Sequence, residues 1–442
     1  MTIPSVRPAA RPADVPPIAV ANVPQAQRIS VGAALRALDR PLTSYYLVLI
    51  ASLLLVALGT VMVFSASSVE ALRHQGSVFA IARKQVIWVA LGLPLMWLTA
   101  RTPARVFRRL AFPSLVVVLM LLCAVLVIGR RVNGNRNWIH LFGPFEIQPS
   151  EAAKLALVVF GAHVLARKQK WLTRPMHLCV PLLPVAAVVI GLVVVGHDLG
   201  TSIVLLAILV ALLFFVGTPM RYFTTLGSGV LAMVLMLIAT DPNRMRRVGS
   251  FLHPFATYEG AGWQGAQSIF GLSSGGLTGV GLGASREKWG YLPEAHTDFI
   301  YAIIGEELGL IGALGVLILF GALIFAGFRI AARSRDMFTT LAAASITTWI
   351  AVQALVNMGA VLGVLPITGI PLPLVSYGGS ALLPTLCALG MLLSFARSEP
   401  GAAAALAARK AKFGHSPMER LRVRRGRRTP SRRGRFGRRS PA

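Results

Sequence analysis

Carboxylates are scarce in this chain: 16 Asp and Glu stand against 44 Lys and Arg, a formal net charge of +28. Such a balance directs attention to the few positions where acids do occur. Cysteine is nearly missing. Cys123, Cys179 and Cys387 lie far apart without CxxC spacing, which excludes a disulfide framework or a cysteine zinc site and leaves free buried thiols as the expectation. Charge of either sign is also thin, at 14% of residues against 55% hydrophobic, with a mean hydropathy of +0.68. With repeated apolar runs of bilayer length, that composition describes an integral membrane protein.

The runs fall near 46–64, 84–100, 110–128, 149–166, 176–196, 199–216, 222–239, 299–330, 338–365 and 376–396. They predict an all-α polytopic membrane protein with about ten transmembrane helices and both termini on one side. Lys and Arg concentrate in the N-terminal tail, in the loops at 101–109, 167–174 and 329–335, and in the C-terminal tail. By the positive-inside rule these are cytoplasmic, so the long loop 241–298 is outside. Residues 1–44 form a Pro/Ala/Arg-rich tail without the apolar core or cleavage site of a secretory signal, and 45–396 form the membrane domain. Residues 397–442, with "RLRVRRGRRTPSRRGRFGRR", form a basic tail expected to lie against anionic membrane lipids, an acidic cytoplasmic partner being the alternative. Aromatic residues do not interleave the arginines, which argues against nucleic acid.

Two runs carry charge where a membrane disfavours it. The purely apolar part of the fourth, "LALVVFGAHVLA", is too short to span the hydrocarbon, so its helix must begin near Pro149. That draws Glu151 and Lys154 toward membrane depth on one helix face, either as a functional pair in a wet cavity or as a self-satisfying structural pair. The preceding loop "RRVNGNRNWIHLFGPFEIQPSE" reads as an irregular interfacial segment. In it Trp138 is either an interfacial anchor or a platform for a sugar ring, and Arg136 either a solvated cation or a phosphate contact.

The stretch "YLPEAHTDFIYAIIGEELG" gathers Glu294, His296, Asp298, Glu306 and Glu307 at the start of the eighth run. Capping a helix explains one acid, Asp298, but not five ionisable groups. An outward-facing acidic cavity does, with Lys84, Lys154 and Arg136 as basic partners and a carboxylate of raised pKa suited to general-base work. The glycines Gly275, Gly276, Gly279, Gly281 and Gly283 follow no strand, so they are read as closely approaching backbone and not as a dinucleotide fingerprint. "PITGIPLPLVSYGGS" is a Pro/Gly-broken segment that fits a cavity wall.

In order and spacing, "NGNRNWI", "IQPSEAAKLAL", "HDLGTSIVLL", "GWQGAQSIFGLSSGGLTGVGLGAS", "YLPEAHTDFIYAIIGEELGLIG" and "GIPLPLVSYGGSALL" resemble the SEDS family over roughly 45–396. The first run, "GTVMVFSASS", and the basic tail are more similar to its division branch than to its elongation branch. The resemblance implies a ten-helix fold and a peptidoglycan glycosyltransferase that polymerises lipid II outside the bacterial cytoplasmic membrane, at the division septum. It also implies a class B penicillin-binding protein and other division proteins as partners. Carried over by position, Asp298 takes the place of the family's essential aspartate, Glu151 and Lys154 its polar pair, Trp138 its outer-loop tryptophan and Lys84 a basic position before glutamine. Glu294, His296, Glu306, Glu307, Ser376, Gly378 and Gly379 match motif positions without an assigned role. His197 departs from a usual proline, and "NRNWI" lacks paired basic residues before its tryptophan.

The reaction expected from this resemblance is an inverting displacement in which Asp298 is the base and Lys154, with Lys84, stabilises the leaving pyrophosphate. A divalent cation, Mg or Mn, could share that role. A lipid II flippase and a non-catalytic division scaffold are the competing readings.

Overall fold

The computed structural model describes residues 42–402 apart from 133–134, 143–144, 172–175, 177–178, 240–248, 252–254, 257, 259 and 261. The expectations for the two tails fall almost wholly outside the described residues. In hydrocarbon a backbone can satisfy its polar groups only internally, so apolar runs of this length become helices. A helix stands at each expected run: α1 Thr43–Gln75, α2 Ala80–Arg101, α3 Ala104–Ile128, α4 Pro149–Arg167, α5 Leu182–Val195, α6 Leu199–Phe215 and α7 Met220–Ala239. After the shorter α8, Trp263–Ser274, come α9 Ile300–Arg333, α10 Met337–Val361 and α11 Gly379–Ala396. Seven of these, α1 to α4 and α9 to α11, are long and apolar enough to cross a membrane, and α5 and α6 are shorter apolar helices. Leu54, Met120, Val116 and Ile318 lie exposed on them, an apolar surface that lipid and not water would cover. Cys123 is on that exposed side too, against the expectation of burial.

Helix starts follow their local chemistry. Pro149 occupies the first turn of α4, where its missing N–H costs nothing. Asp198 caps α6 by accepting the Thr201 N–H at 2.9 Å, and Asp336 caps α10 through Thr339 at 3.2 Å. Helix α1 continues well past its apolar run to Gly76, whose φ of 68° closes it with an N–H bond to the Leu72 carbonyl.

The chain is helical as expected apart from the segment expected to be irregular, which is a small antiparallel sheet, β1 Arg130–Val132, β2 Asn135–Phe142 and β3 Phe145–Ile147. Val132 pairs with Asn135, so two residues, Asn-Gly, connect β1 to β2, the commonest hairpin signal. Alternation puts Asn137 and Ile139 on the buried face and exposes His140 on the other.

Helix α9 is interrupted. At Gly309 the backbone turns to φ 66°, ψ −164°, and the glycine-rich chain after α8 fills the gap. Val280 and Gly281 donate N–H bonds to the Glu306 and Glu307 carbonyls, while Leu310 and Ile311 donate to Gly276 and Leu277. A Cβ on Gly279 would lie 2.2 Å from the Glu307 carbonyl oxygen, and one on Gly309 2.4 Å from the Gly279 nitrogen. Only glycine permits that approach at positive φ, so the sequence reading of closely approaching backbone holds at Gly279, as it does at Gly275, whereas a Cβ on Gly276 or Gly281 would meet open space.

Candidate active site

The segment 366–378 is the hub of one end of the bundle. Its Leu374–Val375 backbone packs against Gly59 of α1, and its Thr368 and Ile370 against Gly200 of α6. From α10, Gln353 donates to the Pro371 carbonyl at 3.0 Å and Asn357 to the Ile370 carbonyl at 2.8 Å. Within the segment the Leu372 N–H donates to the buried Ser376 hydroxyl. These bonds meet the requirement that irregular backbone at membrane depth be satisfied by protein.

Against this hub stands Asp298. The N-cap of α9 is Phe299, without a side-chain cap bond, so Asp298 does not cap the helix. Its carbonyl accepts from Asn357 at 2.7 Å, which fixes the backbone, and its Oδ2 lies 3.6 Å from where a Cβ on Gly369 would be. Among the described residues nothing hydrogen-bonds the carboxylate, although the residue is only partly exposed. Burial pushes its pKa up to about 7; Glu294 adds to the rise, His296 opposes it and Asp198 adds again. An acid that is held by its backbone, bare at its carboxyl and half-protonated near neutrality is suited to take a proton from a hydroxyl.

The neighbours of Asp298 are ordered in their own right. Glu294 is exposed at φ 58°, outside the helix, and accepts the Thr297 hydroxyl at 2.7 Å, so it does not share a helix face with Asp298. His296 is buried, with Nδ1 3.3 Å from Glu70 Oε2 of α1 and its ring 5.5 Å from that of Tyr377. The Tyr377 N–H donates to the His296 carbonyl, and burial with Glu146 raises the Tyr377 pKa. Asp198, besides capping α6, accepts from Gln148 and Ser150 at the start of α4. Glu70 belongs to no motif, and only its placement near the end of an overlong α1 marks it.

Glu306 and Glu307 are not part of this group, which corrects the single five-membered cavity. Both are 1% exposed. Glu306 accepts the Ser285 hydroxyl at 2.5 Å and the Arg286 N–H at 2.8 Å. Glu307 accepts the Ser65 hydroxyl of α1 at 2.7 Å and lies 3.5 Å from Lys288 Nζ. Glu287, beside Glu306, has its pKa pushed up to about 7 by burial and by that carboxyl. The network binds the inserted glycine chain to α1 and α9.

Lys154 likewise departs from its expected role. It is fully buried, 2.7 Å from Glu151 Oε2, 3.0 Å from Gln353 Oε1 and 5.1 Å from the Trp349 ring centroid. The two charges of the pair face each other, and Gln353 joins Lys154 to the hub. Trp138 is half-buried on β2, on the strand face opposite Asn137 and Ile139. Arg136 pairs through its backbone with Arg131, and its side chain lies outside the described residues. Lys84 is half-buried in the first turns of α2, and Gly378 and Gly379 open α11. Among the described residues no three His, Cys, Asp or Glu side chains converge as a metal site.

A family model described as "Cell cycle protein", covering FtsW, RodA and SpoVE, matches residues 45–400. The chain is 43% identical over 373 residues to a "Probable peptidoglycan glycosyltransferase FtsW" of Mycobacterium bovis, covering 84% of this chain and 71% of that one. It is 38% identical over 353 residues to the stage V sporulation protein E of Bacillus subtilis, covering 79% and 96%. A chain in a solved structure on coordination of polymerization and crosslinking by a peptidoglycan synthase complex superposes with a TM-score of 0.65 at 29% identity, covering 79% and 97%. This multi-pass membrane protein therefore belongs to the SEDS family of cell cycle proteins, and its relatives by sequence include proteins named FtsW.

Proposed function

We propose that this chain is a peptidoglycan glycosyltransferase that polymerises lipid II at the outer face of the bacterial cytoplasmic membrane. The observation that carries the reading is Asp298, a carboxyl without a hydrogen-bond partner among the described residues and with a pKa of about 7, set against the hub where several helices begin. In the reaction Asp298 takes the proton of the GlcNAc C4 hydroxyl. The hydroxyl oxygen attacks the anomeric carbon of the lipid-linked MurNAc with inversion, and the bond to undecaprenyl pyrophosphate breaks with its electron pair.

The distribution of Lys and Arg supports cytoplasmic termini and an outward Asp298 end. The relatives named FtsW support a place in septal synthesis, and the neighbouring synthase complex supports a class B penicillin-binding protein as the crosslinking partner. The test is purified protein in liposomes with labelled lipid II. Glycan strands from the wild type and none from folded Asp298→Ala are expected. Equal product from both would rule out Asp298 as the base; transfer of lipid II across the bilayer without polymer would identify a flippase, and neither activity a scaffold.

A further inference from the structure

Helices α2 and α11 run parallel in close register. Trp88 meets Gly379, Gly92 meets Leu383 and Leu386, and Met96 and Thr99 meet Gly390. Gln85 lies one turn before Trp88 on the same stripe of α2, so the register sets it level with the chain entering α11. There it is 1% exposed, and neither atom of its amide has a hydrogen-bond partner. Ser380, in the first turn of α11, is 7% exposed with an equally unpartnered hydroxyl. Gly378 caps the helix without a side-chain bond, and among the described residues the N–H groups of Gly379 and Ser380 have no acceptor.

Buried polar groups are almost always satisfied, so two that are not, on facing helices beside a bare helix start, point to a missing ligand. The free N–H groups, the Ser380 hydroxyl and the Gln85 Nε2 are donors, and the helix dipole adds positive potential, so the ligand is an anion, with Gln85 Oε1 left to accept from a protonated oxygen of it. Lys84 stands next to Gln85 and is half-buried. A Cβ at position 379 would come within 2.0 Å of Trp88 Nε1, so glycine is what lets indole and helix start approach this closely. Donors presented by two facing helices at neighbouring levels suit a tetrahedral group with several oxygens.

We infer that the N-terminus of α11, with Gln85 and Ser380, binds a phosphate group, and that in the proposed reaction it receives the pyrophosphate of the lipid-linked donor. Only the identity of the ligand rests on the glycosyltransferase reading. The site also supplies what Lys154 does not, since that amine is enclosed by Glu151, Gln353 and Trp349.

The test is the full chain in phosphatidylcholine nanodiscs, titrated with inorganic pyrophosphate by calorimetry. Wild type should bind, and Gln85→Met and Ser380→Ala should each weaken binding by about tenfold or more, as for loss of a hydrogen bond to a charged group. Asp298→Ala should bind like wild type while failing to polymerise. Thermal melting checks that each variant is folded, and Ser380→Ala, which removes one oxygen, carries the test if Gln85→Met does not fold. No binding by wild type, or wild-type affinity in both variants, would overturn the site even if polymerisation persists. Binding without any polymerisation would keep the site and remove the glycosyltransferase reading. Loss of pyrophosphate binding on replacing the lipid with phosphatidylglycerol would assign the phosphate to a membrane headgroup and overturn the leaving-group role.

Discussion

Asp298 and Glu306 are eight residues apart, roughly 12 Å along a helix axis, yet the protein treats their carboxyls as opposites. Glu306 and its neighbour Glu307 are enclosed and bonded to Ser285, Arg286, Ser65 and Lys288. Asp298 is fixed through its carbonyl by Asn357 while its carboxyl is left unbonded. Partnering commits an acid to architecture, whereas a fixed backbone with a bare carboxyl leaves it available to a substrate.

The sharpest way to test that contrast is to neutralise each acid without changing its shape. Asp298→Asn should lower polymerisation of lipid II by about 100- to 10,000-fold, the usual worth of a general base. Glu306→Gln should lower it only as far as the folded fraction falls, measured by melting in detergent.

The buried pair at Lys154 extends the architectural side. Lys154→Met alone should cost about 3–5 kcal/mol by stranding Glu151, while Glu151→Leu with Lys154→Met should restore most of the stability and retain polymerisation. Retained activity in that double variant is the outcome expected if the pair only supports the hub. Gly309→Ala should cost about 3 kcal/mol, from its positive φ together with the clash against the inserted chain, and would show as a lowered midpoint of unfolding.

The acid limb of the pH profile probes the chemical side. Asp298 must be ionised to act as base, so kcat/KM should rise with pH and level off above about 7. Stability should move the other way. The folded pKa lies above the unfolded one, so the native state holds more protons between about 4 and 7, and this group's contribution is lost as pH rises through that window. Asp298→Asn should remove both dependences. The smallest effect is expected at the Arg108–Asp336 pair joining α3 to α10, where both side chains are partly exposed. Arg108→Ala should cost at most about 1 kcal/mol and leave the pH profile unchanged.

The helices were legible because the length of an apolar run is a direct physical requirement of the bilayer. The short strands are not legible although Asn133-Gly134 carries a hairpin signal, since that dipeptide together with Pro144 and Pro149 equally marks an irregular loop. Asp298 could be found from its motif. The separation of Glu306 and Glu307 from it could not, because nothing local says that the glycine chain returns to fill a break in α9. Gly309, a glycine within an apolar helical run, was the available sign. Glu70 and Gln85 were harder to read for a different reason: each matters through a helix remote in sequence, Glu70 stands in no pattern, and Gln85 entered only as the glutamine after Lys84.

The inserted glycine chain also has a mechanical consequence. Because it replaces the missing turn bonds of α9 on both sides of Gly309, it acts as a splint, and the first half of the helix is braced from outside itself. A force applied to the 263–291 segment would therefore be transmitted to the short rod that begins just after Asp298. A protein that docks there would have a direct lever on the aim of that acid.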